Sequence, residues 1–255
     1  MSRYAFLDVP TPFALAHRGG DEVAPENTMR AFAAAVDAGY RYLETDVHIS
    51  ADGRLFAFHD DVLDRVTDRT GTVAALTADE LRDVRIGGTD PIPMLDELLE
   101  AFPDVRWNID PKSDGAVVAL ARTLRRHGAL DQVNVGCFSD GRMARVRSLL
   151  GPELCTAGAP REVAALVAAS RLPVVRRRRR PPPYGCVQVP IRYQNVTVVT
   201  AAFVDAAHAR DVQVHVWTVD DPAEAHRLLD LGVDALITDK PTGVRAGLEA
   251  RGAWA

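Results

Sequence analysis

The chain has 255 residues, 47% of them hydrophobic and 25% charged, with a net charge of −5. That length suits one large domain such as an α/β barrel, the charge leaves no basic footprint for nucleic acid, and no stretch reaches the ~18 consecutive apolar residues of a membrane span. The start, MSRYAFLDVPTPFALAHRGG, lacks a charged region followed by a long apolar one, so a cytoplasmic location is expected. Three cysteines, Cys137, Cys155 and Cys186, show no CxxC or CxxH spacing. They suggest neither a disulfide framework nor a zinc site and read as small core residues.

In chain order, eight apolar segments read as strands: 13–17, 42–47, 105–110, 132–137, 154–158, 186–190, 212–219 and 233–239. Between them lie segments of helical periodicity, including NTMRAFAAAVDAG, GAVVALARTLRRHG, REVAALVAASR, AAFVDAAHARD and DPAEAHRLLDLG. Several finish at glycine, and the last opens with an Asp cap followed by proline. The alternation predicts an α/β protein, a closed (β/α)₈ TIM barrel spanning 1–255 as a single catalytic domain. A doubly wound sheet would normally show GxGxxG after its first strand, and none is present.

The connection after the second strand is long, with about 45 residues between Val47 and a helix expected at 94–101. Within it ADG makes a turn, LFAFHD another strand, and TADELRDVR a short helix capped by Thr77 with Glu80 placed for a capping box. The prediction is a rim insertion at about 50–92 that shapes a site.

Residues i and i+2 of a strand face one side. Glu44 and Asp46 therefore project together at the C-terminal end of the second strand, where barrel active sites lie. Asn108 and Asp110 repeat this on the third, followed by Lys112. Three carboxylates converging at one rim repel one another unless a divalent cation sits between them, and oxygen ligands favour Mg²⁺, Ca²⁺ or Mn²⁺. The alternative is that Glu44 pairs with a lysine or arginine and binds nothing. His17 and Arg18 end the first strand ahead of a glycine pair that admits close backbone approach to a ligand, and His59 ends the strand of the insertion. Two histidines beside a cation suggest a general acid and base, with Arg18 and Lys112 holding an anionic oxygen. Trp217, with His215 in phase, is expected at the same mouth. His48 falls just past the predicted strand end, with a supporting role as open as a catalytic one, and Asp60 has no assigned role. His127, His208 and His226 lie on helical patterns and are expected to face solvent.

AHRGG, APENT, ETDVHISADGRLFAFHDDVLDRVTDRTG, ALTADELRDV, IPMLDELLE, VHVWTVDD and GVDALITDKP together resemble the glycerophosphodiester phosphodiesterase family, in order, over residues 16–241. The resemblance implies a TIM barrel with an insertion after its second strand. It implies His17 and His59 as catalytic residues, Glu44 and Asp46 as the first two metal ligands, Arg18 as a phosphate contact and Lys112 as the lysine of the third-strand motif, with Asp110 expected as the third metal ligand. It further implies hydrolysis of glycerophosphodiesters to glycerol 3-phosphate and an alcohol with Mg²⁺ or Ca²⁺. Two positions depart from the family pattern. Asp110 stands where glutamate is usual, and Asp220 stands where asparagine is usual; the latter is expected to cap the following helix. The rival readings are a phospholipase D-like lyase acting on lysophospholipids, which needs an apolar rim that the mostly polar insertion does not offer, and a non-catalytic binder of phosphorylated alcohols.

The run Arg176 to Arg180, followed by three prolines, cannot pack in a core. It reads as a solvated extended loop, with weak contact to an anionic membrane as the functional alternative.

Overall fold

The computed structural model describes residues 2–171 and 181–254, so the arginine run lies outside the described residues. After a 3₁₀ turn at Ala5–Leu7 the strands are β1 (Phe13–His17), β2 (Tyr42–Ile49), β3 (Leu55–Ala57), β4 (Arg85–Ile86), β5 (Asp90–Pro91), β6 (Arg106–Pro111), β7 (Val133–Val135), β8 (Cys155–Thr156), β9 (Cys186–Pro190), β10 (Arg192–Tyr193), β11 (Val196–Thr197), β12 (Gln213–Trp217) and β13 (Ala235–Thr238). The helices are α1 (Met29–Asp37), α2 (Ala78–Arg82), α3 (Leu95–Ala101), α4 (Asp114–His127), α5 (Asp140–Leu150), α6 (Pro160–Ser170), α7 (Ala201–His208), α8 (Pro222–Asp230) and α9 (Pro241–Ala250).

Eight parallel strands run in the order β8-β7-β6-β2-β1-β13-β12-β9, and a parallel bridge between Ala157 and Cys186 joins the two ends. The neighbours are sequential around the circle, which is the topology of the expected (β/α)₈ barrel. Side chains alternate along each strand. On β1, Ala14 and Ala16 pack under the helices, whereas Phe13 and Leu15 join Tyr42, Cys155, Cys186 and Ala235 inside. Tyr4, Phe6 and Leu7 plug that inner cluster from below, with the Tyr42 hydroxyl donating to the carbonyl of Phe6 at 2.7 Å. The outer layer is closed by Trp107, Phe32, Leu98 and Leu120, all fully buried.

Side-chain caps set several helix starts. Thr28 accepts from Ala31, Ser113 from Ala116, Thr200 from Phe203, and Asp221 from Ala223 ahead of Pro222. Gly128 ends α4 in the left-handed region at φ 63.

The second strand is longer than predicted because the insertion pairs with it. β3 lies antiparallel to its last three residues, Val47 with Ala57, His48 with Phe56 and Ile49 with Leu55, which draws His48 into the strand. The insertion folds around its own core of Phe58, Leu63, Val73, Leu81, Val84 and Ile86. Its helix α2 carries the expected capping box between Thr77 and Glu80. Among the described residues no helix is long and apolar enough to cross a membrane.

Because Leu81 is fully buried in this satellite core, Leu81→Ala is expected to lower stability by about 2–5 kcal/mol in urea denaturation. A loss below about 1 kcal/mol would show that the insertion packs loosely on the barrel.

Candidate active site

Strand register assembles the site. β1 and β2 align His17 with Glu44, and β2 and β6 align Glu44 with Asn108 and Asp46 with Asp110. Partners in a parallel ladder point the same way, so these groups meet at the C-terminal mouth of the barrel. There they line a cavity of about 750 Å³ that also includes Arg18, His59, Lys112 and Trp217. Every residue proposed from the sequence for catalysis, metal or phosphate thus lines one cavity.

Each of the two histidines is held by a carboxylate on its Nδ1. For His17 the partner is Asp239, at 2.7 Å, just beyond β13. For His59 it is the adjacent Asp60, at 2.6 Å. A carboxylate on Nδ1 fixes the tautomer and ring orientation and leaves Nε2 for chemistry. Burial pulls the pKa of His17 down, but Glu44, whose Oε2 lies 3.7 Å from Nε2, and the bond to Asp239 outweigh it and raise the value. Asp239 is depressed in turn: the His17 partner overcomes the effect of burial.

Both pairs are braced from behind. Asp60 accepts from Arg65 Nε at 2.5 Å, which brings its pKa down to about 2. Arg65 also grips both oxygens of Glu26, at 2.6 and 3.2 Å, and Glu26 accepts from Arg18 Nη1 at 3.1 Å. The insertion is thereby tied to the β1 rim through a chain of alternating charges. His48 is buried within β2, and its Nε2 donates to the carbonyl of His59 at 3.0 Å, fixing the backbone of that residue. Burial lowers the pKa of His48, which keeps the ring neutral for this task. Asp220 does not cap α8, since Asp221 does. Instead one oxygen of Asp220 accepts from the Thr238 hydroxyl and from the backbone N–H of Asp239, both at 2.8 Å, anchoring the residue that orients His17.

The acidic residues divide unevenly. Lys112 Nζ sits 2.6 Å from Asp46 and 2.8 Å from Asp110, while Arg18 Nε lies 3.0 Å from Asp46. Burial pulls the pKa of Lys112 down, but Asp46 and Asp110 together raise it. Glu44 accepts only a 3.2 Å bond from the backbone N–H of Arg18; burial, then the neighbouring Asp46, push its pKa up to about 7. Buried Asp110 is raised as well, chiefly by burial. Among the described residues no three carboxylate, imidazole or thiol groups cluster closely enough to form a ready-made metal cage. Yet Asp110 Oδ1 is buried without a hydrogen bond, Asp46 Oδ2 meets Arg18 Nε only as an ion pair, and Glu44 is short of positive charge. Buried oxygens short of positive charge fit an oxygen-liganded divalent cation completed by substrate or water.

Arg18 has a left-handed backbone, φ 51, which costs a side-chain-bearing residue energy. It is held there by its N–H to Glu44 and by its carbonyl accepting from Asn27 at 2.8 Å. The glycine pair after it also lets neighbouring segments pack closely. A Cβ on Gly19 would lie 2.9 Å from Ala31, and one on Gly20 2.7 Å from Pro241. The APENT motif becomes intelligible residue by residue: Glu26 bridges Arg18 and Arg65, Asn27 accepts from the buried Thr45 hydroxyl, and Thr28 caps α1.

Trp217 lines the mouth and meets exposed Phe138 edge-on, with ring centroids 5.6 Å apart. His215 does not reach the mouth. Two residues deeper on β12, it is fully buried, bonded to Gln213 and edge-on to Phe13. Asn108 faces inward too, but its oxygen is taken by Asn134 at 2.6 Å and Gln188 at 3.0 Å. His208 is exposed as expected, with Asp234 as its partner, whereas His127 is partly buried against Asp96. Cys155 and Cys186 are buried as expected, and Cys137 is partly buried in the cavity wall. The residues missed from sequence, Glu26, Asp60, Arg65 and Asp239, lie in quoted motifs, but as acids and an arginine in loops they carry no spacing signal of their own.

A barrel mouth with two carboxylate-held histidines above buried acids and cations is a site suited to acid–base chemistry on an anionic ester. Residues 17–242 match the Glycerophosphoryl diester phosphodiesterase family. A Mycobacterium tuberculosis protein named "Probable glycerophosphodiester phosphodiesterase 2" is 38% identical over 246 residues, covering 94% of this chain and 92% of that protein. A human protein named Lysophospholipase D GDPD1 is 29% identical, covering 91% of this chain and 84% of its own length. A solved Oleispira antarctica phosphodiesterase, crystallised with the product sn-glycerol-3-phosphate, superposes with a TM-score of 0.80 at 23% identity, covering 98% of this chain and 100% of that one. The chain belongs to the glycerophosphoryl diester phosphodiesterase family.

Asp239→Asn is expected to lower the pKa of His17, read by NMR titration of the imidazole in metal-free protein, because the carboxylate stabilises the protonated ring. A raised value would contradict the pairing.

Proposed function

We propose that this chain hydrolyses glycerophosphodiesters to glycerol 3-phosphate and an alcohol, with His17 and His59 as the acid–base pair. The observation that carries the reading is that two histidines, each anchored at Nδ1 by a carboxylate, line one cavity with Arg18 and Lys112. The family and the names of its relatives support the substrate class.

In the reaction the bond between phosphorus and the alcohol oxygen breaks and a new bond to phosphorus forms. The nucleophile is water, or first the adjacent glycerol hydroxyl with water then opening the cyclic ester. One histidine takes the proton of the nucleophile at Nε2 while the other delivers a proton to the departing alkoxide, which leaves the first protonated and the second neutral; exchange of one proton each with water resets them, or, on the cyclic-ester route, the two swap roles in the second step. Asp239 and Asp60 stabilise the imidazolium that forms on each ring and hold it in line. Arg18 and Lys112 place positive charge beside the anionic phosphodiester. Glu44 and Asp46, with Asp110 alongside, would hold Mg²⁺ or Ca²⁺. Such an ion, when bound, neutralises charge building on a phosphoryl oxygen.

With glycerophosphoethanolamine as substrate, His17→Ala and His59→Ala should each cut kcat by about 10²–10⁴-fold while changing metal affinity little. Near-normal turnover by His59→Ala would sink the assignment. Chelation should abolish turnover, and Mg²⁺ or Ca²⁺ should restore it; chelator-resistant activity would remove the cation from the reading. Because a side-chain amide oxygen also accepts two bonds, Asp220→Asn should keep the rate within about twofold, whereas Asp220→Ala should lose about tenfold. Equal losses in both variants would show that Asp220 does not act through Asp239.

A further inference from the structure

Beside Glu44 the cavity wall is built from amides. His17, Glu44, Asn108 and Asn134 stand in register across β1, β2, β6 and β7, which puts Asn108 next to Glu44 and two residues, roughly 6–7 Å, below Asp110. Neighbours decide how its amide is turned. Asn108 Oδ1 accepts from Asn134 Nδ2 at 2.6 Å and from Gln188 Nε2 at 3.0 Å, while Asn134 Oδ1 accepts from the Cys186 thiol at 3.7 Å. With both acceptor positions of its oxygen filled, the Asn108 amide offers only N–H to a ligand and is unfit to bind a cation. Asn108 is 4% exposed and lines the cavity, yet among the described residues its Nδ2 has no hydrogen-bond partner. Gln188 is the complement. Its Nε2 is spent on Asn108, and its Oε1, also without a partner among the described residues, lies over Gly136, where a Cβ would come within 2.6 Å of it. Both Gln188 and Gly136 line the cavity. A free amide donor and a free amide acceptor on adjoining side chains call for a ligand group that accepts and donates at once, which a hydroxyl does and a phosphoryl oxygen does not.

We propose that Asn108 and Gln188 select the substrate by the terminal hydroxyl of its glycerol unit, Asn108 Nδ2 donating to that oxygen and Gln188 Oε1 accepting its proton. The inference rests on the reaction assigned above and names the residues that read a part of glycerol which does not react. Arg18 and Lys112, paired with Asp46 and Asp110, hold positive charge for the phosphate two residues nearer the mouth than Asn108. The three-carbon chain of glycerol spans that step, so its far end meets the amides. On either route to product the hydroxyl next to the ester stays close to phosphorus, whereas the terminal one is free to be bound. Asn134 and Cys186, both fully buried, act behind Asn108 as positioning residues. A substrate without the terminal hydroxyl leaves a buried amide N–H unpaired, and the cost falls on its binding and turnover.

The test compares ethanolamine release from glycerophosphoethanolamine with release from the ethanolamine phosphodiester of propane-1,2-diol, linked through its primary oxygen. The second ester keeps the hydroxyl next to the phosphate and lacks the terminal one. In the wild-type protein kcat/KM is expected to be at least about tenfold higher for the glycerol ester. In Asn108→Leu, and independently in Gln188→Met at a partly exposed position that folding should tolerate, this ratio should fall toward one through loss with the glycerol ester. If Asn108→Leu does not fold, the ratio in Gln188→Met decides. Equal rates for the two esters in the wild-type protein overturn the inference and leave the reaction standing. So does a ratio unmoved in the folded variants, including an equal loss with both esters, the result if Asn108 donates to a phosphoryl oxygen instead. Faster choline release from 1-acyl lysophosphatidylcholine than from glycerophosphocholine also overturns it, because an acylated oxygen has no proton for Gln188. Absence of turnover with both ethanolamine esters would remove the reaction itself and the inference with it.

Discussion

Negative charge buried at the end of β2 is the constraint around which this mouth is arranged. Glu44 and Asp46 are 6% and 2% exposed and project side by side from one strand. Two desolvated carboxylates so close are costly unless countercharge is near, and most features of the rim answer that cost. Arg18 takes an unfavourable backbone conformation to reach Asp46, and Lys112 is clamped between Asp46 and Asp110. Glu44 is left the least compensated, and its raised pKa reports the shortfall. A carboxylate left short of countercharge in this way stands out from the compensated acids beside it.

The same charge economy extends outward from the strand ends. From His59 the path runs through Asp60, Arg65 and Glu26 to Arg18, alternating in sign at each step. Much of it is partly exposed, and isolated pairs of that kind contribute little stability. Their effect here is geometric. The insertion has its own core and pairs with the barrel along three residues of β2, so this path and the His48 bond decide where the His59 ring points. On the other side, Asp220 does the equivalent for His17 through the backbone of Asp239. One histidine is thus positioned from the insertion and the other from the end of the last barrel strand.

Where reading the sequence succeeded and where it stopped follows the range of the forces involved. β1, β9 and α4 were legible almost to the residue because apolar periodicity and caps are local signals. α5 gave a weak pattern, since Met143, Val146 and Leu150 alternate with Arg142, Arg145 and Arg147. The β10–β11 hairpin, only two residues per strand and exposed, left no pattern at all. His215 and Trp217 share a phase, yet only Trp217 reaches the mouth, because depth inside a barrel depends on strand tilt rather than on alternation.

By itself the sequence determined the barrel, the insertion and the set of polar side chains that meet at the strand ends, because period-two patterning and motif order are written in neighbouring residues. Only the tertiary structure decided which carboxylate each histidine holds, that Lys112 and Arg18 face acids, that Asp220 supports Asp239 rather than a helix, and that apolar residues of α6 and the β10–β11 hairpin line the same cavity as the polar site. These are contacts between residues as far apart as His17 and Asp239. Their formation depends on barrel closure and strand register, which bring distant strand ends into one ring and which no local pattern encodes.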